Sequence, residues 1–81
     1  MDISKGEEFF KNAVALVIRD KKASVSYLQR KLTIGYSRAA KIIDEMEDRG
    51  FIGPSEGKVY RKVLITPEQF KELYGEDFNT L

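Results

Sequence analysis

Eighty-one residues make one small domain, near the lower end of what folds unaided, and a hydrophobic share of 42% allows a modest core. Cysteine and histidine are both absent, which excludes disulfides, thiolate metal sites, the usual general base and the commonest zinc ligand. The net charge of +1 hides an uneven distribution: eleven Lys/Arg against six Asp/Glu between Arg19 and Lys62, with acidic segments on either side.

The first predicted helix is GEEFFKNAVALVIRDKK, residues 6–22. Phe9, Phe10, Ala13, Val14, Leu16, Val17 and Ile18 form its apolar stripe, and Glu7 and Glu8 near its start suit the helix dipole. Lys21 and Lys22 follow its last turn. Ala23 to Val25 read as a very short strand, and Ser24 or Ser26 is the N-cap of a second helix ending near Leu32. Ile34-Gly35 is a turn. A third helix runs from Tyr36 to Arg49, with Gly50 as the residue after its C-cap, where a left-handed backbone costs glycine little.

The period then changes. Phe51 and Ile52 start a strand, Pro54 to Gly57 is turn chemistry, and Val59 to Ile65 is a second strand. Thr66 as N-cap, Pro67 at N1 and Gln69 at N3 open a short fourth helix. Phe70, Leu73, Tyr74 and Phe78 are expected to pack back on the first helix.

The third helix raises the functional question. At about 100° per residue, Ala39, Ile42, Ile43 and Met46 share one face and Ser37, Lys41, Asp44 and Asp48 the other. That polar face has two readings. It is a solvated surface supported by pairs such as Lys41 with Asp44 or Glu45, or it is a face turned toward a ligand. The basic middle of the chain favours an anionic ligand. No Walker-type loop, G-x-G-x-x-G or Asp/Asn metal loop occurs, and no apolar run nears the roughly 20 residues that cross a bilayer. No signal-peptide hydrophobic region occurs either. The expectation is a cytoplasmic, non-enzymatic module without metal or cofactor and without membrane contact of its own.

Three helices with a tight turn between the second and third, then a hairpin, follow the order of a winged helix-turn-helix. The predicted class is α+β, mainly α. It comprises three helices with a two- or three-stranded wing sheet and a short extra C-terminal helix, all within one domain (1–81; core 7–65, extension 66–81). In that architecture the third helix enters the DNA major groove and the wing approaches the flanking backbone. Winged helices also serve as protein-docking modules.

ASVSYLQRKLTIGYSRAAKIIDEMEDRGFIGPSEG, residues 23–57, resembles the C-terminal gamma domain of the FtsK/SpoIIIE DNA translocases. The pattern AS-x-S-x-LQR, IGY-x-RAA and ID-x-ME-x-x-G, then an apolar pair and a GPSEG wing tip, carries the resemblance from Ala23 to Ile65. It implies a winged helix at the end of an ATP-driven, double-stranded-DNA pump that acts in chromosome segregation. The hexameric motor would lie upstream, in a protein anchored to the membrane through a separate N-terminal region. In that family the gamma domain reads short, skewed, G-rich octamers that give the motor its direction, and in many bacteria it touches a XerD-type recombinase. Met1 followed directly by the first helix leads us to expect a piece of such a longer chain.

By the same resemblance, Ser37, Lys41 and Asp44 face the major groove, at positions that usually hold Asn, Arg and a carboxylate reaching base edges. Lys41 can donate to guanine as a point charge without the bidentate fork of Arg. Arg30, in the LQR motif, resembles a residue that joins base or backbone recognition. Arg38 is assigned mainly to phosphate, with a surface ion pair to Asp44 or Glu45 as the alternative. Tyr36 either reaches the backbone with its hydroxyl or packs its ring. Ser26 caps its helix or also offers backbone amides to phosphate. In the wing, strand alternation separates Lys58 and Lys62 from Arg61. Lys58 and then Arg61 are expected at DNA, and Lys62 in solvent. The competing functions are a stand-alone regulator on a palindromic operator and a protein-docking winged helix.

Overall fold

The computed structural model describes residues 3–80. Four α-helices and one short 3₁₀ turn make up its regular structure: α1 (Ile3–Asp20), α2 (Val25–Leu32), α3 (Tyr36–Asp48) and α4 (Pro67–Tyr74), then Phe78–Thr80. α1 begins three residues before the predicted helix start at Gly6, so Glu7 and Glu8 lie beyond the first turn, which holds no acid. Glu8 accepts from Lys11 one turn on, and Glu7 from Arg49 at the far end of α3.

Local chemistry fixes the helix ends. Ser24, not Ser26, caps α2, its hydroxyl accepting from the Tyr27 N–H at 3.1 Å. At the end of α3, the Gly50 N–H reaches the Glu47 carbonyl at 2.9 Å and the Phe51 N–H the Met46 carbonyl at 2.8 Å. This paired closure needs a left-handed residue, and Gly50 supplies φ 77. Thr66 and Gln69 cap α4 reciprocally, and Pro67 opens it.

The core is one cluster. α1 contributes Phe10, Ala13, Val14, Val17 and Ile18, and α2 contributes Tyr27 and Leu28. Ala39, Ile42, Ile43 and Met46 of α3 close over them, with Ile52, Ile65 and Phe70 beneath. Phe70 is fully buried and its ring lies 4.8 Å from that of Tyr74. Leu73, expected to pack on α1, is 59% exposed instead. On a helix of two turns the i,i+4 pair Phe70–Tyr74 takes the inner face, and Leu73 is left beside it.

The hairpin is where expectation and structure part. The strands predicted around Phe51–Ile52 and Val59–Ile65 are reduced, among the described residues, to two isolated antiparallel bridges, Ala23–Arg61 and Ile52–Val63. The chain is therefore mainly helical, with no regular sheet among the described residues. The Gly53 N–H donates to the Lys62 carbonyl at 2.9 Å, and there the pairing stops. Pro54 lies across from Arg61 at a non-hydrogen-bonded position, so its missing N–H breaks no bond, and no further pairing forms beyond it among the described residues. Residues 54–59 are exposed, Gly57 turns with φ 77, and Val59 is left 79% exposed.

Candidate nucleic-acid interface

α2 sets the angle at which α3 is presented. Its Tyr27 ring is buried, and the hydroxyl donates to the Asp20 carboxylate and, at 3.4 Å, approaches the Leu16 carbonyl. Two interactions from one phenol thus fix how α2 lies on the end of α1. Asp20 is held down at about 2, first by its bond from Arg19 and then by Tyr27. Burial, and then the bond to Asp20, pushes Tyr27 up to about 12. With Tyr27 and Leu28 inward, Ser26, Arg30 and Lys31 point to solvent.

The turn into α3 is made by Thr33, a non-glycine residue at φ 54, ψ 52, and the Ile34 N–H reaches back to the Gln29 carbonyl at 3.3 Å. Gly35 then takes the N-cap position with no side-chain hydrogen bond to the first turn of α3. The apolar side of α3 is buried along its whole length by Ala39, Ile42, Ile43 and Met46. That burial fixes the rotation of the helix, so Ser37, Lys41, Asp44 and Asp48 are all exposed, within an arc of about 60°. Ser37 to Asp44 covers about 10 Å along the axis, the scale of a few base-pair steps.

Among the described residues, none of these four side chains makes a hydrogen bond or an ion pair within the protein. The expected pairing of Lys41 with Asp44 or Glu45 is not formed. Glu45 instead accepts from Arg49 at 2.8 Å, one turn further on. Tyr36 is 66% exposed, so its ring is no part of the core. Arg38 makes neither of the ion pairs considered for it. Its guanidinium lies 4.2 Å from the Phe9 ring centroid, laid against α1 at the edge of the α3 face.

Cations elsewhere are treated differently. Arg49 is bonded to Glu45 and Glu7 and covers the Phe10 ring at 4.4 Å, and Lys11 is bonded to Glu8 and Glu76. Arg61 belongs with these. Its guanidinium donates to Glu47 at 2.7 Å with the side chain only 22% exposed, which ties the wing to the last turn of α3. Arg61 can meet a phosphate only by exchanging that carboxylate. Arg30, Lys41 and Lys58 carry no such partner among the described residues. Lys31 forms no ion pair either, though it lies close enough to Asp20 to help hold that carboxylate down, and it was missed in the sequence. Its position one residue after Arg30, in the last turn of α2, was the available signal.

A family model for the FtsK gamma domain matches residues 4–66 of the chain. This chain belongs to the FtsK gamma-domain family. The match spans α1, α2, α3 and the hairpin and ends one residue before α4. The DNA translocase SpoIIIE of Bacillus subtilis (strain 168) is 49% identical over 67 residues, covering 83% of this chain and 8% of that protein. The DNA translocase FtsK of Lactiplantibacillus plantarum is 58% identical over 57 residues, covering 70% of this chain and 7% of that protein. The DNA translocase FtsK of Brucella melitensis biotype 1 is 48% identical over 64 residues, covering 79% and 8%. The chain thus spans less than a tenth of the length of the curated relatives it matches, and within them this gamma domain is a small part. None of its described helices is long and apolar enough to cross a membrane.

Proposed function

We propose that this gamma domain binds double-stranded DNA as a winged helix-turn-helix, with α3 in the major groove and the 54–61 loop as a wing on the flanking backbone. The observation that carries the reading is the α3 face itself. Ser37, Lys41 and Asp44 are exposed and free of intramolecular partners among the described residues, while the opposite face of the same helix is buried from Ala39 to Met46. Lys41 donates to a guanine acceptor, Asp44 accepts from a base amino group or orients Lys41, and Ser37 reads at shorter range. Arg30, Arg38, Tyr36 and Lys58 contact phosphates around that face. Arg61 joins them only if it leaves Glu47.

The DNA read is a short, polar, G-rich octamer, and reading it orients an ATP-driven hexameric motor carried by the rest of a longer, membrane-anchored protein. The DNA-translocase relatives support this role in chromosome segregation, and the proposal extends to a contact with a XerD-type recombinase. The test is a gel-shift panel of duplex octamers at one fixed salt concentration. Tight binding of one non-palindromic, G-rich sequence is expected. Binding confined to palindromes would replace this reading with a dimeric regulator, and no duplex binding at all would replace it with a protein-docking module.

A further inference from the structure

A second group of cations is spread beside the hairpin, off the exposed face of α3. The Ala23–Arg61 bridge is antiparallel, so its register sets Lys22 across from Lys62 and Ser24 across from Tyr60. Arg61 turns toward α3, where Glu47 accepts from it, and alternation leaves Tyr60 and Lys62 on the other side. Lys22 extends over the Tyr60 ring, its Nζ 5.9 Å from the centroid. Lys21, Lys58 and Lys62 line one open cleft with Tyr60, Val63 and part of Arg61, and Glu56 is the single carboxylate of its lining. All four lysines are exposed, and none is in an ion pair among the described residues.

We propose that this lysine face is a second phosphate-binding surface, which holds the sugar–phosphate backbone flanking the sequence read by α3. The assignment rests on the reading that α3 enters the major groove. Spread ammonium groups, with no enclosed pocket and no converging donors, suit a repeating polyanion better than one small anion. The only aromatic of the cleft, Tyr60, is half-buried under Lys22, so the face lacks the exposed aromatic anchor on which protein interfaces centre. Lys58 at the wing joins the two surfaces, and Lys21, Lys22 and Lys62 extend the footprint beyond the octamer.

The experiment uses fluorescence anisotropy titrations of this chain against the preferred octamer in two duplexes, one with minimal flanks and one with flanks longer than a helical turn. The variants are the triple Lys21→Gln/Lys22→Gln/Lys62→Gln and the single Lys22→Glu. The wild type should bind the long duplex more tightly than the short one. The triple variant should lose about fivefold per lysine on the long duplex at physiological salt, with the log–log salt slope shallower by about 0.9 for each phosphate that is no longer neutralised. Its binding to the short duplex, and its ratio of preferred to scrambled sequence, should not change. Lys22→Glu places a carboxylate across from Lys62, so it should melt no lower than the wild type while losing long-duplex affinity. A triple variant that binds the long duplex like the wild type overturns the second surface and leaves the α3 reading standing. A wild type that binds no duplex overturns both. DNA-free self-association that the triple variant abolishes, with flank dependence intact, would assign the face to the acidic segment of a second copy and overturn the DNA assignment.

Discussion

α3 and the wing lie side by side, yet they are held in place by different physics. α3 is positioned by a buried apolar face four residues deep and a glycine-closed end. The wing is positioned by two isolated bridges, one further backbone bond from the Ile65 N–H to the Phe51 carbonyl, and the Arg61–Glu47 pair. The first arrangement fixes which face of α3 is exposed mainly by apolar burial, with the Arg49–Glu7 pair and Arg38 on the Phe9 ring added at its edges. The second uses a cation to hold a loop. Sequence reading requires fixed geometry, whereas binding to a uniform phosphate backbone tolerates movement, and each region has the support its proposed task demands.

The largest test of that contrast is a pair of truncations. Ile43→Ala removes a side chain only 2% exposed from under α3 and should cost about 2–5 kcal/mol in chemical denaturation. Val59→Ala, at a wing position 79% exposed, should stay within about 0.5 kcal/mol. Comparable losses at the two positions would show that the wing is anchored as firmly as the helix.

Next is the reading face. Lys41→Ala should cost roughly 1–3 kcal/mol on the preferred octamer, while a scrambled duplex loses only the effect of one general cation. Asp48→Ala, one turn beyond Asp44 on the same face, should be neutral or slightly favourable through reduced phosphate repulsion. If binding curves for Lys41→Ala weaken on both duplexes by one factor, the residue is a phosphate ligand or a solvated charge.

A smaller effect separates the two cations of the wing. Lys58→Ala should weaken all duplexes alike and flatten the salt dependence by about one unit of slope. Glu47→Gln breaks a partly exposed pair, so it should cost under about 1 kcal/mol of stability. It also frees Arg61, and a salt titration then decides its role. A slope steeper by about one places Arg61 on phosphate once released. An unchanged slope leaves it a structural residue.

The smallest expected effect concerns the joint between α1 and α2. The folded-state pKa of Asp20 lies at about 2, below its ordinary 3.8. A depressed carboxylate stabilises the fold above its unfolded pKa, and that contribution is lost as pH falls through the folded value. Melting temperature should therefore decline between pH 4 and pH 2 more steeply in the wild type than in Asp20→Asn. Parallel curves would remove Asp20 from the forces that hold α2 on α1.

Much of this molecule is written locally. The buried set Ala39, Ile42, Ile43 and Met46, the closure at Gly50 and the reciprocal cap of Thr66 and Gln69 each depend on residues within about one turn of one another. Such features follow from spacing alone, and so did the exposure of Ser37, Lys41 and Asp44. The partners of the long cations did not. Arg61 meets Glu47 fourteen residues back, Arg49 meets Glu7 across 42 residues, and Lys11 meets Glu76 across 65. A flexible charged side chain can reach any of several carboxylates, and only the packing of α1, α3 and α4 decides which one is near. The wing strand failed for a related reason. Alternation assumes a continuing ladder, and here no backbone bond joins residues 54–57 to residues 58–60. The sequence by itself determined the helices, the closure of α3, the cap of α4 and the face that α3 turns outward, because those interactions close within a turn. The tertiary structure alone decided which cations stay free to meet an anion, because that depends on what the fold brings beside them.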